Sequence, residues 1–73
     1  MRVFEEVLTS LLRASGKKQV DICLELGIPK QKMSNWKSGY TDPNLEDLVK
    51  LANYFDVSID YLLGREDESG SKI

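Results

Sequence analysis

The sequence predicts an all-α domain, and three observations carry that prediction. Apolar residues recur at helical spacing, glycines close the segments so marked, and no strand-type alternation persists. A chain of 73 residues makes one small domain, and a domain this size buries only about 60% of the surface its unfolded form exposes. Local signals must therefore do much of the specifying.

The pairs Val3/Phe4, Val7/Leu8 and Leu11/Leu12 repeat every four residues and paint one stripe on a first helix, which Gly16 ends. A second short helix is expected from Lys18 to Glu25, burying Val20 or Ile22, Cys23 and Leu26, with Gly27 as its left-handed cap. Pro29 suits the first turn of a third helix, where a missing N–H is harmless, and Met33 and Trp36 follow three apart on its inner face. Gly39 stops that helix. Asn44 is the expected N-cap of the fourth, with Asp47 at the capping-box position and Leu45, Leu48, Leu51, Ala52 and Phe55 as its apolar set. Ser58 caps a last short helix carrying Ile59, Leu62 and Leu63, and Gly64 closes it. Residues 1–64 thus form the domain, and the polar residues 65–73 are expected to be a flexible tail.

The residue inventory excludes whole classes of chemistry. A single cysteine, Cys23, cannot close an intramolecular disulfide, and with no histidine the usual zinc-ligand sets are missing. Nucleophile–histidine catalysis goes with them, and no phosphate-cradling glycine loop is present. Adjacent acids such as Glu5 and Glu6 point about 100° apart on a helix, a poor geometry for paired carboxylate catalysis. The expectation is a protein that is not an enzyme and holds no cofactor or metal. The longest uncharged run, Val7 to Leu12, is far shorter than the roughly 20 residues that span a bilayer. Glu5 and Glu6 interrupt the apolar segment that an export signal needs, so a cytoplasmic location without membrane contact is expected.

The net charge of −2 hides an asymmetry. Residues 1–40 carry seven Lys and Arg against four acids, a net +3, whereas residues 41–73 carry three against eight, a net −5. A protein acidic overall can still present one basic face, and for a polyanionic partner the distribution counts for more than the total.

The segment from Gln19 to Trp36, two short helices joined by a tight glycine turn, has the length of a helix-turn-helix. Followed by Gly39, Pro43, Asn44-Leu45-Glu46, Leu48, Lys50-Leu51-Ala52 and Val57 to Gly64, it resembles the phage repressor and Cro type of helix-turn-helix domain, the xenobiotic response element family. The likeness covers roughly residues 4–64, and its more specific part is the downstream pattern ending in Asp60-Tyr61-Leu62-Leu63-Gly64.

The resemblance implies a compact five-helix, sequence-specific double-stranded DNA-binding transcriptional regulator, a repressor, with its third helix (about residues 29–38) in the major groove. That groove is about 12 Å wide and admits one helix, and the outward side chains here are amides and cations able to reach base edges. Lys30, Gln31, Asn35 and Lys32 are the expected base readers. Gln19 stands where the family uses a glutamine against the phosphate backbone. Lys18, Lys37, Ser38 and Tyr40 complete the expected phosphate contacts, although Lys18 replaces the usual capping Ser or Thr.

Without the family pattern, Gln31 and Asn35 would read as a solvated helical face. Trp36 reads as core packing, and Cys23, where the family usually has Ala, as a small buried hydrophobe. The resemblance also implies a departure. Many members join the first helix to the end of the recognition helix by an Arg–Glu pair, and those positions are Leu12 and Lys37 here. Leu12 should then extend the stripe of Leu8 and Leu11 against Trp36, while Lys37 is released toward DNA.

A homodimer on a two-fold operator is expected on DNA, and a monomer in free solution, since no long heptad segment or second domain is present to hold a dimer. The competing reading keeps the fold and makes it a protein-interaction module, an antirepressor or antitoxin component, whose acidic second half meets a basic partner.

Overall fold

Phe4, Leu8 and Leu12, one turn apart on α1 (Arg2–Ala14), are all buried in the computed structural model, which describes residues 2–65. Four more helices follow, α2 (Gln19–Leu26), α3 (Lys30–Ser38), α4 (Leu45–Phe55) and α5 (Ile59–Leu62), with no strand among the described residues. All but Arg65 of the polar tail expected over 65–73 lies outside the described residues, and Arg65 N–H bonds back to Asp60 O at 2.7 Å.

One core joins the five helices. Ile22 and Cys23 of α2, Met33 and Trp36 of α3, Leu48, Leu51 and Ala52 of α4, and Leu62 of α5 pack with the α1 stripe and with Ile28 from the turn. Leu12 is in this cluster with Trp36, as the departure from an Arg–Glu pair requires. Val3, Val20 and Leu45 face solvent instead, Leu45 with 70% of its surface exposed. The α4 stripe is set chiefly by what α2 and α5 cover, and Leu45 lies outside it.

The caps follow the sequence with two corrections. Asn44 accepts Asp47 N–H at 2.8 Å, and Ser58 accepts Tyr61 N–H at 2.9 Å. Lys18 caps α2 with no side-chain hydrogen bond. Pro29 is the N-cap of α3, at φ −65° and ψ 145°, rather than a residue of its first turn. Pro29 O still takes Lys32 N–H at 3.1 Å, so the ring sits just outside the helix it starts. Asp47 does not complete a capping box, because its carboxylate turns across to Lys32.

Gly64 closes α5 against the start of α1. Its φ is +74°, and a Cβ there would lie 2.1 Å from Val3 Cγ1. Left-handed backbone costs a non-glycine residue about 1–2 kcal/mol, and displacing Val3, which is 47% exposed and has room to move, adds a smaller packing part. Gly64→Ala is therefore expected to destabilise by at least about 1 kcal/mol, with Val3→Ala in the same chain restoring the packing part. Urea melts of the two single variants and the double check this. Equal stability of Gly64→Ala and the double would show that no clash exists.

An exposed clasp ties α2 to α4. Tyr54 Oη donates to Glu25 Oε2 at 2.5 Å, and Lys17 Nζ lies 3.1 Å from Glu25 Oε1 and 3.3 Å from Tyr54 Oη. The Tyr54 hydroxyl, then Lys17, holds the Glu25 carboxyl below its usual range. Glu25 in turn raises both Lys17 and Tyr54. A depressed carboxyl stabilises above its ordinary pKa and loses that contribution as pH falls through the lowered value. The raised groups stabilise below their ordinary pKa and lose it as pH rises. The clasp thus works between the carboxylate and the tyrosine–lysine ranges. In Tyr54→Phe, the Glu25 carboxyl followed by NMR should titrate closer to its ordinary value. An unmoved titration would remove the hydroxyl from the account.

Candidate nucleic-acid interface

The turn that sets α3 against α2 is built on Gly27. At φ 72° and ψ 32° its N–H reaches Leu24 O at 3.3 Å, and Ile28 N–H reaches Cys23 O at 3.0 Å. These bonds satisfy the last carbonyls of α2 and drop Ile28 into the core. Gly39 repeats the device at the other end of α3. There Asn35 O takes Tyr40 N–H at 2.9 Å, and Trp36 O takes Gly39 N–H at 3.3 Å.

With Met33 and Trp36 inward, the opposite face of α3 presents Lys30, Gln31, Ser34 and Ser38 as exposed residues and Asn35 as a partly exposed one. Gln31 Nε2 donates to Asn35 Oδ1 at 2.9 Å, so the two amides form one unit a turn apart. Lys37 Nζ donates to Gln19 Oε1 at 2.8 Å and joins the end of α3 to the start of α2. That bond leaves the Gln19 amide N–H groups to point elsewhere. Lys18 and Tyr40 are exposed, Tyr40 with 80% of its surface.

Two expected residues are placed differently. Lys32 Nζ lies 3.1 Å from Asp47 Oδ2, on α4, and 5.9 Å from the centre of the Trp36 ring. Asp47 is 5% exposed and its Oδ2 has no aligned hydrogen bond, so the Lys32 ammonium is what offsets burying that charge. Lys32 therefore faces α4 and stands apart from the Gln31–Asn35 unit. The Ser38 hydroxyl donates to Asn35 O at 3.2 Å, within its own helix. Ser34 was missed. It lies four residues after Lys30 and three after Gln31, and that spacing alone places it in the middle of the outward face.

Cys23 is 2% exposed, packed where α2 meets the core, and burial pushes its thiol up. It is a small hydrophobe in this position. No helix among the described residues is long and apolar enough to cross a membrane, and no cluster of three metal-ligating side chains occurs among them.

Comparison with known proteins places this geometry. A family model described as Helix-turn-helix matches residues 8–62. The HTH-type transcriptional regulator ImmR of Bacillus subtilis is 38% identical over 55 residues, covering 75% of this chain and 43% of that protein. The cryptic phage CTXphi transcriptional repressor RstR of Vibrio cholerae is 36% identical over 61 residues, covering 84% of this chain and 54% of RstR. The chain thus spans about half or less of the length of these curated relatives. Among solved structures, the SOS-response transcriptional repressor LexA from Eubacterium rectale superposes with a TM-score of 0.81 at 30% identity, covering 92% of this chain and 69% of that one. A transcriptional regulator from Listeria innocua gives 0.77 at 37% identity, covering 89% and 61%. The match takes in α2, the Gly27 turn, α3 and the helices that brace them, and so the chain belongs to the helix-turn-helix family of the phage repressor and Cro type.

Proposed function

We propose that the protein is a sequence-specific double-stranded DNA-binding transcriptional regulator, a repressor, that lays α3 in the major groove. The observation that carries this is the outward face of α3. It places a hydrogen-bonded amide pair beside a cation, Lys37, that is anchored to the first residue of α2. Amides match base edges, and cations at the rim match phosphates. Relatives and structural neighbours named as transcriptional regulators and repressors support the same reading.

Gln31, Asn35, Lys30 and Ser34 read bases in this account. Lys18, Gln19, Lys37 and Tyr40 hold phosphates, and Ser38 fixes the helix end. The work is binding, without catalysis, in the cytoplasm of a bacterium or of a phage-infected cell. Two copies act together on half-sites about 34 Å apart, which doubles the sequence read. A gel shift on random duplex at low salt, followed by selection from a random duplex pool, tests the reading. Retarded complexes and an enriched two-fold site are expected, and no retardation at low salt would overturn it.

Lys32 is a positioning residue here rather than a reader. Removing it strands the buried Asp47 carboxylate, which costs about 1–3 kcal/mol. Lys32→Ala should therefore lower stability in urea by about that amount and leave the selected sequence unchanged. A changed base preference with unchanged stability would return Lys32 to the reading set.

The interaction-module reading is favoured by one observation. Leu45 and Val49, one turn apart on α4, are exposed beside Glu46 in the acidic half of the chain. The gel shift separates the two readings.

A further inference from the structure

The hydrogen bond between Gln31 and Asn35 fixes more than their positions. A primary amide carries two N–H donors and one oxygen with two lone pairs. Gln31 commits one N–H to Asn35 Oδ1, at 2.9 Å, and keeps Oε1 and a second N–H. That remaining acceptor and donor are what the N6 amino group and N7 of adenine require. Asn35 has turned its oxygen to Gln31 and keeps its Nδ2 donors, which match acceptors: O6 and N7 of guanine, or O4 of thymine.

The two residues also differ in exposure. Asn35 is partly buried, and its main-chain carbonyl is tied to Tyr40 N–H at 2.9 Å and to the Ser38 hydroxyl at 3.2 Å. Gln31 is an exposed, long side chain. Asn35 is thus the fixed post and Gln31 the arm it steadies, so that part of the ordering needed for binding is already done before DNA arrives.

We propose that Gln31 and Asn35 read two neighbouring bases as one joined unit, Gln31 specifying adenine only while Asn35 holds it, and Asn35 specifying guanine or thymine in its own right. This rests on the placement of α3 in the major groove. It departs from the simplest expectation for an asparagine in that groove, a bidentate contact to adenine, because one lone pair of Oδ1 is held by Gln31 and an adenine contact would have to share that oxygen and its orientation.

The experiment is selection from a random duplex pool with the full chain, followed by binding of the selected site and its single-base variants. Wild type, Asn35→Asp, Asn35→Leu and Gln31→Ala are compared, with circular dichroism as the check on folding. The wild-type site should hold adenine at the Gln31 position and guanine or thymine at the Asn35 position. Asn35→Asp keeps an acceptor for Gln31 and removes the donors. It should bind more weakly on every site yet hold the adenine preference within about threefold of wild type, while losing the preference at its own position. Asn35→Leu removes both groups, and the adenine preference should fall by about tenfold. Gln31→Ala frees Asn35 Oδ1, and adenine should become tolerated at the Asn35 position.

An adenine preference untouched by Asn35→Leu, or adenine as the wild-type base at the Asn35 position, would overturn the joined unit while leaving the DNA-binding reading intact. Binding with no enriched sequence at all would overturn both. A bond that serves only to stabilise the helix would lower helicity in Asn35→Leu more than in Asn35→Asp, which keeps the acceptor, and leave base preference unmoved in both, which also counts against the proposal.

Discussion

Trp36→Ala is expected to leave much of the chain unfolded at 37 °C. Trp36 is 1% exposed and lies in the cluster that joins all five helices. Truncating a buried tryptophan to alanine costs about 3–5 kcal/mol. A domain of 73 residues has roughly 4–11 kcal/mol in all, at 0.05–0.15 per residue. The loss is therefore comparable with the total. Thermal and urea melts followed by far-UV circular dichroism measure it. Trp36→Phe keeps most of the apolar volume, so it should stay folded and select the same DNA site. A change below about 1 kcal/mol for Trp36→Ala would mean that α3 is not seated through this ring.

The affinity for DNA is expected to fall about a thousandfold between 50 and 200 mM salt. Lys18, Lys30 and Lys37 are the cations on or beside the reading face, whereas Lys17 is committed to Glu25 and Lys32 to Asp47. Each displaces counterions from the phosphates around it, Lys30 from its place at the base edges included, so three per copy give six for a two-fold pair, and the log–log slope at about −0.9 each is then near −5. Lys37→Ala, removed twice in the pair, should flatten the slope by about 2 and weaken all sequences alike. Its effect on folding should stay below about 0.5 kcal/mol, as for a surface residue. A slope near zero would defeat the electrostatic account, and binding isotherms at four or five salt concentrations suffice to measure it.

The helices and most of their ends were legible because their signals are local. Gly27, Asn44 and Ser58 cap helices through bonds to residues only a few positions away, and such bonds are written in short stretches of sequence. Pro29 fell one position from where it was expected, a difference that depends only on the ψ of a single residue. The Lys32–Asp47 pair was not legible. It is set by how the fold brings Lys32 of α3 to the first turn of α4, and nothing near Asp47 in sequence distinguishes a capping carboxylate from one aimed at another helix. Leu45 shows the same limit from the apolar side, since periodicity assigns it to a stripe that the neighbouring helices end before they reach it. Within the site, spacing placed the outward face of α3. The Gln31–Asn35 and Gln19–Lys37 bonds depend on rotamers, which the sequence does not state.

The contact between Val3 and Gly64 bears on how long a folded molecule lasts. Almost the whole described chain runs between these two residues, so closing that loop carries the largest entropic penalty of any contact described. The α2–α3 pair needs only a three-residue turn and can form early. The α1–α5 seam is then expected to form after the folding transition state, so weakening it should accelerate unfolding while leaving refolding almost unchanged. In stopped-flow chevrons, Gly64→Ala should shift the unfolding arm alone. The two helices proposed to meet DNA would thus be among the first to assemble, and the seam between the first and last described helices would act as the clock that sets how soon they come apart.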